Sequence, residues 1–125
     1  MKKALMILVA MAATCAGAQN IVVEKSSEKT AKDMPFGYEA EKTTMEGNYV
    51  RLIGTVKNTG KECYLYVRVT FTANKGYSTF MTRDVAYAEP SEIGPGQVGY
   101  IDARINVDGI KPDRIEWSVM GNAIR

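Results

Sequence analysis

The feature that most constrains this chain is an alternation of apolar and polar side chains with period two, clearest over residues 62–73. In an extended chain successive side chains point to opposite faces. The reading therefore puts Cys63, Leu65, Val67, Val69 and Phe71 on an inward face and Tyr64, Tyr66, Arg68, Thr70 and Thr72 on an outward one. A helix of the same sequence would scatter both sets around its axis. Burying five side chains of the inward kind contributes on the order of 7–15 kcal/mol before chain entropy is set against it.

The same period recurs along the chain between turn signals. Residues 49–57 alternate Val50, Leu52, Gly54 and Val56 with Tyr49, Arg51, Ile53, Thr55 and Lys57. Further strands are expected at residues 38–45, 77–88, 97–105 and 114–120, the last with Ile115, Trp117 and Val119 inward. In residues 77–88, Phe80 argues for one face and Met81, Val85 and Tyr87 for the other, which predicts a bulge. Turns are expected at residues 46–48, 58–61 and 74–76, with a longer turn region at 89–96. No run after residue 18 has the apolar stripe of a core-forming helix. Many short strands at regular spacing indicate an antiparallel sandwich or barrel. A tight hairpin joining residues 49–57 to residues 62–73 would set Arg51 opposite Arg68, and like charges so placed repel. A crossover between two sheets avoids this, which favours a sandwich over a simple meander.

Residues 1–18 form a different kind of segment. Lys2 and Lys3 precede the unbroken apolar run of residues 4–13, and Ala16-Gly-Ala18 offers small side chains just before Gln19. This is the pattern of a cleaved signal peptide, and it places the protein outside the cytoplasm, in the periplasm or beyond the cell. The apolar run is too short for a membrane span, which needs about 20 residues. Cutting the first 18 of 125 residues leaves 107, one domain on size grounds. The expected organisation is a signal peptide at 1–18, an N-terminal arm or linker at 19–37 opening with the short β-like run Ile21-Val-Val23, and a β-sandwich at 38–125. The arm is rich in Ser, Thr, Lys and Glu between residues 25 and 33. Cleavage before Cys15 is the alternative and would tether the protein by a lipid; Ala12 and Thr14 fit the lipid-attachment pattern less well than Ala16-Gly-Ala18 fits ordinary cleavage.

Processing also changes the charge and the thiol count. Without Lys2 and Lys3, 14 basic residues face 14 acidic ones, so no electrostatic footprint for nucleic acid remains. Cys63 becomes the single cysteine, read as a small inward group rather than a reactive thiol.

The string Gly54-Thr-Val-Lys-Asn-Thr-Gly60, then a long alternating strand, then Ile93-Gly-Pro-Gly-Gln97 before another strand, resembles the FxLYD family of bacterial domains. The resemblance spans residues 38–120. It implies an immunoglobulin-like antiparallel β-sandwich of about seven strands, exported or membrane-attached. Its motifs are structural: Gly54 for close approach, Asn58 and Gly60 for a turn, Pro95-Gly96 for a type II turn. At the family's name-giving stretch this chain has Val69-Thr-Phe-Thr-Ala73, with Thr72 and Ala73 in place of the Tyr and Asp. The family carries no general enzymatic activity, so the resemblance implies a binding or accessory module.

The residues themselves point away from catalysis. The chain contains no histidine, which removes Ser-His and Cys-His nucleophile pairs and most zinc sites. Asp102, Asn106, Asp108 and Asp113 lack the ligand series and closing Glu of a calcium loop. Glu89 and Glu92 flank Pro90 on a turn with nothing to form a cleft around them, and residues 94–96 lead into no Lys-Ser/Thr and no helix. No catalytic, cofactor or metal residue is assigned. The candidate interaction surface is Tyr64, Tyr66 and Arg68, because outward Tyr and Arg are enriched where proteins bind one another; Tyr49 and Ile53 would extend it if their strands were neighbours. The expected partner is a protein of the cell envelope, the alternative a glycan stacked on exposed tyrosines.

Overall fold

Among the described residues seven strands form two sheets, and the remainder lies in turns, bends, loops or isolated bridges. They are β1 (Val22–Lys25), β2 (Phe36–Glu46), β3 (Tyr49–Asn58), β4 (Tyr64–Lys75), β5 (Thr79–Tyr87), β6 (Val98–Asn106) and β7 (Arg114–Ala123). The computed structural model describes residues 21–27, 34–76 and 79–124; the leader read at residues 1–18, with Cys15, lies outside them. One sheet has the order β1-β7-β4-β5 and the other β2-β3-β6, so the chain is all-β and sandwich-like.

Each sheet is built by the alternation. In β3 the inward Val50, Leu52, Gly54 and Val56 are buried, and in β6 Gly99, Ile101, Ala103 and Ile105. From the other sheet Val67, Val69, Phe71, Ala73, Ile115 and Val119 complete the core. Tyr38 sits at its centre, edge-on to Phe71 at 5.3 Å and tilted against Trp117 at 5.8 Å. Gly54 is what lets it fit: a Cβ there would run into the Glu39 carbonyl and come within 2.7 Å of the Tyr38 ring.

The connection between β3 and β4 crosses from one sheet to the other, as the Arg51–Arg68 argument expects. Arg51 instead lies beside β6, in register with Arg104. That like-charge pair is relieved by Asp102, which accepts two hydrogen bonds from Arg51, at 3.0 Å from Nε and 2.7 Å from Nη2. The turn at residues 94–97 also forms as expected: Gly96 has φ 78°, and the Gln97 N–H donates to the Gly94 carbonyl at 3.0 Å.

The free edges are managed locally. The bulge expected in β5 falls at Met81, the extra residue between Thr82, opposite Ala73, and Phe80, opposite Asn74. Beyond it the Val85 N–H is taken by the Asp84 carboxylate of its own strand at 2.8 Å. A bulge and a self-satisfied donor both discourage edge-to-edge pairing. β2 carries a second bulge, between Ala40 and Lys42.

Residues 89–96 do more than turn. Ile93 is fully buried and pairs both ways with Tyr64, donating and accepting at 2.9 and 3.1 Å. This plug is held by Asn58, whose Nδ2 donates to the Glu62 carbonyl at 2.7 Å and the Ile93 carbonyl at 3.0 Å. Asn58 Oδ1 accepts from the Gly60 N–H at 2.8 Å, and its backbone exchanges bonds with Gly96 and Gln97.

Candidate interaction surface

The outward face of β4 is where the sequence placed its site, and the structure corrects one member of it. Tyr64 is buried, only 8% exposed, with its ring edge-on to Phe36 at 5.0 Å. The cause is a bulge between Leu65 and Arg68, where β4 pairs with β7. Tyr66 takes a left-handed φ of 55°, and the Val67 N–H leaves the β7 ladder to donate to the Ser91 carbonyl. An extra residue in one strand reverses its facing. Upstream of the bulge Tyr64 therefore points in, while Cys63 and Leu65, expected inward, are half-buried. Downstream Val67, Val69 and Phe71 point in as expected. The Cys63 thiol faces Glu92, 3.9 Å away.

Tyr66 is 58% exposed. A left-handed φ is unusual for a bulky side chain and costs on the order of 1–3 kcal/mol, sustained only where the surroundings enforce it. Here Arg68 contributes to the enforcement by donating from Nη1 to the Tyr66 carbonyl at 2.8 Å. The bulge thus fixes an aromatic ring in solvent beside a guanidinium.

The neighbour of this pair comes from β5, not from β3. Tyr49 and Ile53 belong to the opposite sheet and do not extend the surface. Tyr87, 60% exposed, stands directly across from Arg68 in the β4–β5 ladder, and the exposed Val85 follows across from Thr70. Two residues beyond Tyr87, Glu89 forms a backbone bridge with Tyr100 of β6, closing the seam between the two sheets at that end. Tyr100 is 63% exposed. Along the seam a shallow groove of about 220 Å³ runs between Asp84–Tyr87 on one side and Asp102–Arg104 on the other, with Phe71 at its floor.

Tyr66 and Arg68 remain outward as the alternation expects, and Tyr87, which the sequence did not single out, stands across from Arg68. The signal for Tyr87 was its parity in the expected strand at 77–88. What sets it beside Arg68 is the pairing of β5 with β4.

The electrostatics are those of a mixed, solvated surface. Hydrogen bonds from Arg51 hold the Asp102 carboxyl below the usual carboxylate range against desolvation, with the charges of Arg51 and Arg104 adding to the lowering. Asp113, at the far end of β7, is lowered chiefly by the Gly76 N–H. Among the described residues no group of three or more Cys, Asp or Glu side chains is placed to hold a metal ion. Glu89 and Glu92 are exposed, on the loop that carries Ile93. Among the described residues no helix is long and apolar enough to cross a membrane. Compared with protein-family models, with curated proteins and with solved structures, the chain matches none.

Proposed function

We propose that this is an exported, non-enzymatic module of immunoglobulin-like type that binds a protein partner in the bacterial cell envelope. Its contact surface is Tyr66, Arg68 and Tyr87. The observation that carries the reading is the left-handed Tyr66, a ring held in solvent at a backbone cost beside Arg68 and across the ladder from Tyr87. Rigid aromatics next to Arg are what binding hot spots are made of, because little side-chain entropy is lost when they are covered. The leader pattern at residues 1–18 supports export, and the missing histidine supports a binding role over catalysis. The strand order supports the immunoglobulin-like type: β2-β3-β6 corresponds to strands A, B and E of that fold and β7-β4-β5 to F, C and C′, with β1 beside β7 where strand G would lie.

The test is a photo-crosslinking amino acid placed at position 66 or 87 in the exported protein, irradiated in cells. The expected result is one shared crosslinked protein from both positions and none from position 57 on the opposite sheet. Irradiation that yields the same products from position 57, or none at all, removes the proposal. The exposed Tyr66 and Tyr87 also favour a second reading, a glycan-binding surface. A glycan array probed with the protein and with Tyr66→Ala and Tyr87→Ala separates the two, since the protein reading expects no glycan signal.

A further inference from the structure

The edge of the four-stranded sheet opposite to β5 is formed by β1, and its attachment differs from every other in the molecule. β1 is paired in parallel, along β7 alone, while the strand that follows it in sequence belongs to the other sheet. It is four residues long. Its fastenings include the Val22 N–H to the Asp113 carbonyl at 3.1 Å, the Ser26 N–H to the Trp117 carbonyl at 2.8 Å, and an ion pair of Glu24 with Arg114 at 3.5 Å. Arg114 also serves Glu116, at 3.4 Å. Parallel ladders are slightly weaker per residue than antiparallel ones, and half-exposed ion pairs add about 1 kcal/mol at most.

The place β1 occupies cannot be left empty without cost. Ile21 and Val23 pack against the core, and Val23 lies in register with the fully buried Ile115. A departed β1 uncovers that apolar edge together with the unpaired backbone groups of β7.

We propose that β1 is an exchangeable strand, and that its seat on β7 accepts β1 from a second copy of this chain in a reciprocal dimer. A second copy is the occupant because it reproduces each contact, from the Val23–Ile115 register to the Glu24–Arg114 pair. Reciprocity leaves neither seat empty, so two chains close the assembly. The reach is sufficient. Ten residues, 26–35, separate β1 from β2. Fully extended they span roughly 35 Å, against a diameter of about 30 Å for a domain of this size. Their composition, with Ser26, Ser27, Glu28, Lys29, Thr30, Lys32 and Asp33, suits a solvated crossing between two bodies. The inference is independent of the tyrosine surface, which lies at the other edge of the same sheet.

The test uses the β1–β7 register. Glu24 and Glu116 are direct partners, at a spacing that a disulfide can bridge. In a Cys63→Ser background, chains carrying Glu24→Cys are mixed with chains carrying Glu116→Cys, warmed and oxidised. Only exchange brings position 24 of one chain beside position 116 of the other. The expected result is a disulfide-linked dimer whose 24–116 linkage is confirmed by peptide mass. Its yield should rise with protein concentration and exceed by at least about tenfold that of a control mixture of Glu24→Cys with Lys57→Cys. A yield equal to the control overturns the proposal. Should circular dichroism show either variant unfolded, the unaltered protein is incubated instead with a fluorescent peptide of residues 19–27. Retention of that peptide, and not of its scrambled sequence, is then expected. Equal retention of both, or of neither, overturns it.

Discussion

Asn58 and Tyr38 are both buried polar side chains, and the fold treats them in opposite ways. Asn58, fully inaccessible, spends two amide donors and its carbonyl oxygen on Glu62, Ile93 and Gly60. Tyr38, almost as deep, has a hydroxyl with no hydrogen-bond partner. The difference lies in what each site needs. At the end of the sandwich, chain segments from three parts of the sequence converge without a shared ladder, and an amide supplies the bonds their backbones lack. At the centre the backbones are already paired, and what is needed is a large flat ring between Phe71 and Trp117. The hydroxyl there is a cost carried for the sake of the ring.

The largest loss of stability is expected from Asn58→Ala. The Glu62 carbonyl and the Gly60 N–H lose their Asn58 partner and the Ile93 carbonyl is left with the Tyr64 N–H alone, and a buried unsatisfied group costs about 1–3 kcal/mol. A loss of about 3 kcal/mol or more is expected in urea denaturation, with Ile93 and Tyr64 amides losing hydrogen-exchange protection first. A loss under 1 kcal/mol refutes the role given to Asn58. Gly54→Ala comes next, at about 2 kcal/mol, because it overpacks the site beneath the Tyr38 ring. Part of that clash is with the hydroxyl itself, 2.7 Å from the added Cβ. The same substitution in a Tyr38→Phe background should therefore cost less, and a strictly additive double-mutant cycle contradicts this.

Tyr38 also makes stability depend on pH. Burial, with the charge of Glu41 adding to it, pushes the Tyr38 phenol up from 10.0 to about 12. The folded protein thus keeps a proton that the unfolded chain gives up above pH 10. Stability is fully present below that value and falls between pH 10 and pH 12, by at most about 2–3 kcal/mol for this group. Tyr38→Phe should lack that part of the slope; identical slopes in the two proteins count against it. At pH 7 the same substitution has the smallest effect, within about 1 kcal/mol and stabilising, since it removes an unsatisfied hydroxyl and keeps the ring. A loss of 2 kcal/mol or more there means the hydroxyl has a partner after all.

Much of this architecture is written in alternation. The inward faces of β3 and β6 follow directly from it, the bulge of β5 shows in its conflicting parity, and the repulsion between Arg51 and Arg68 separates β3 from β4. What escapes are features whose cause is remote in sequence. Nothing local marks Tyr66 as left-handed, because its conformation is set by Val67 turning toward Ser91 on another segment. One displaced residue then reverses Tyr64, Cys63 and Leu65. Ile93 reads as part of a turn because its burial depends on Asn58 and Tyr64. The candidate surface was half legible for the same reason. Tyr66 and Arg68 share a strand, whereas Tyr87 joins them through the pairing of β5 with β4.

The parallel pairing of β1 sets an order in time as well as in space. Val23 and Ile115, neighbours in the folded protein, stand at opposite ends of the sequence. Contacts of such long range are slow to form, because the whole intervening chain must be organised before they return anything. A ribosome makes β1 first and its partner β7 last. Throughout that interval Val22 and Val23 have no seat of their own.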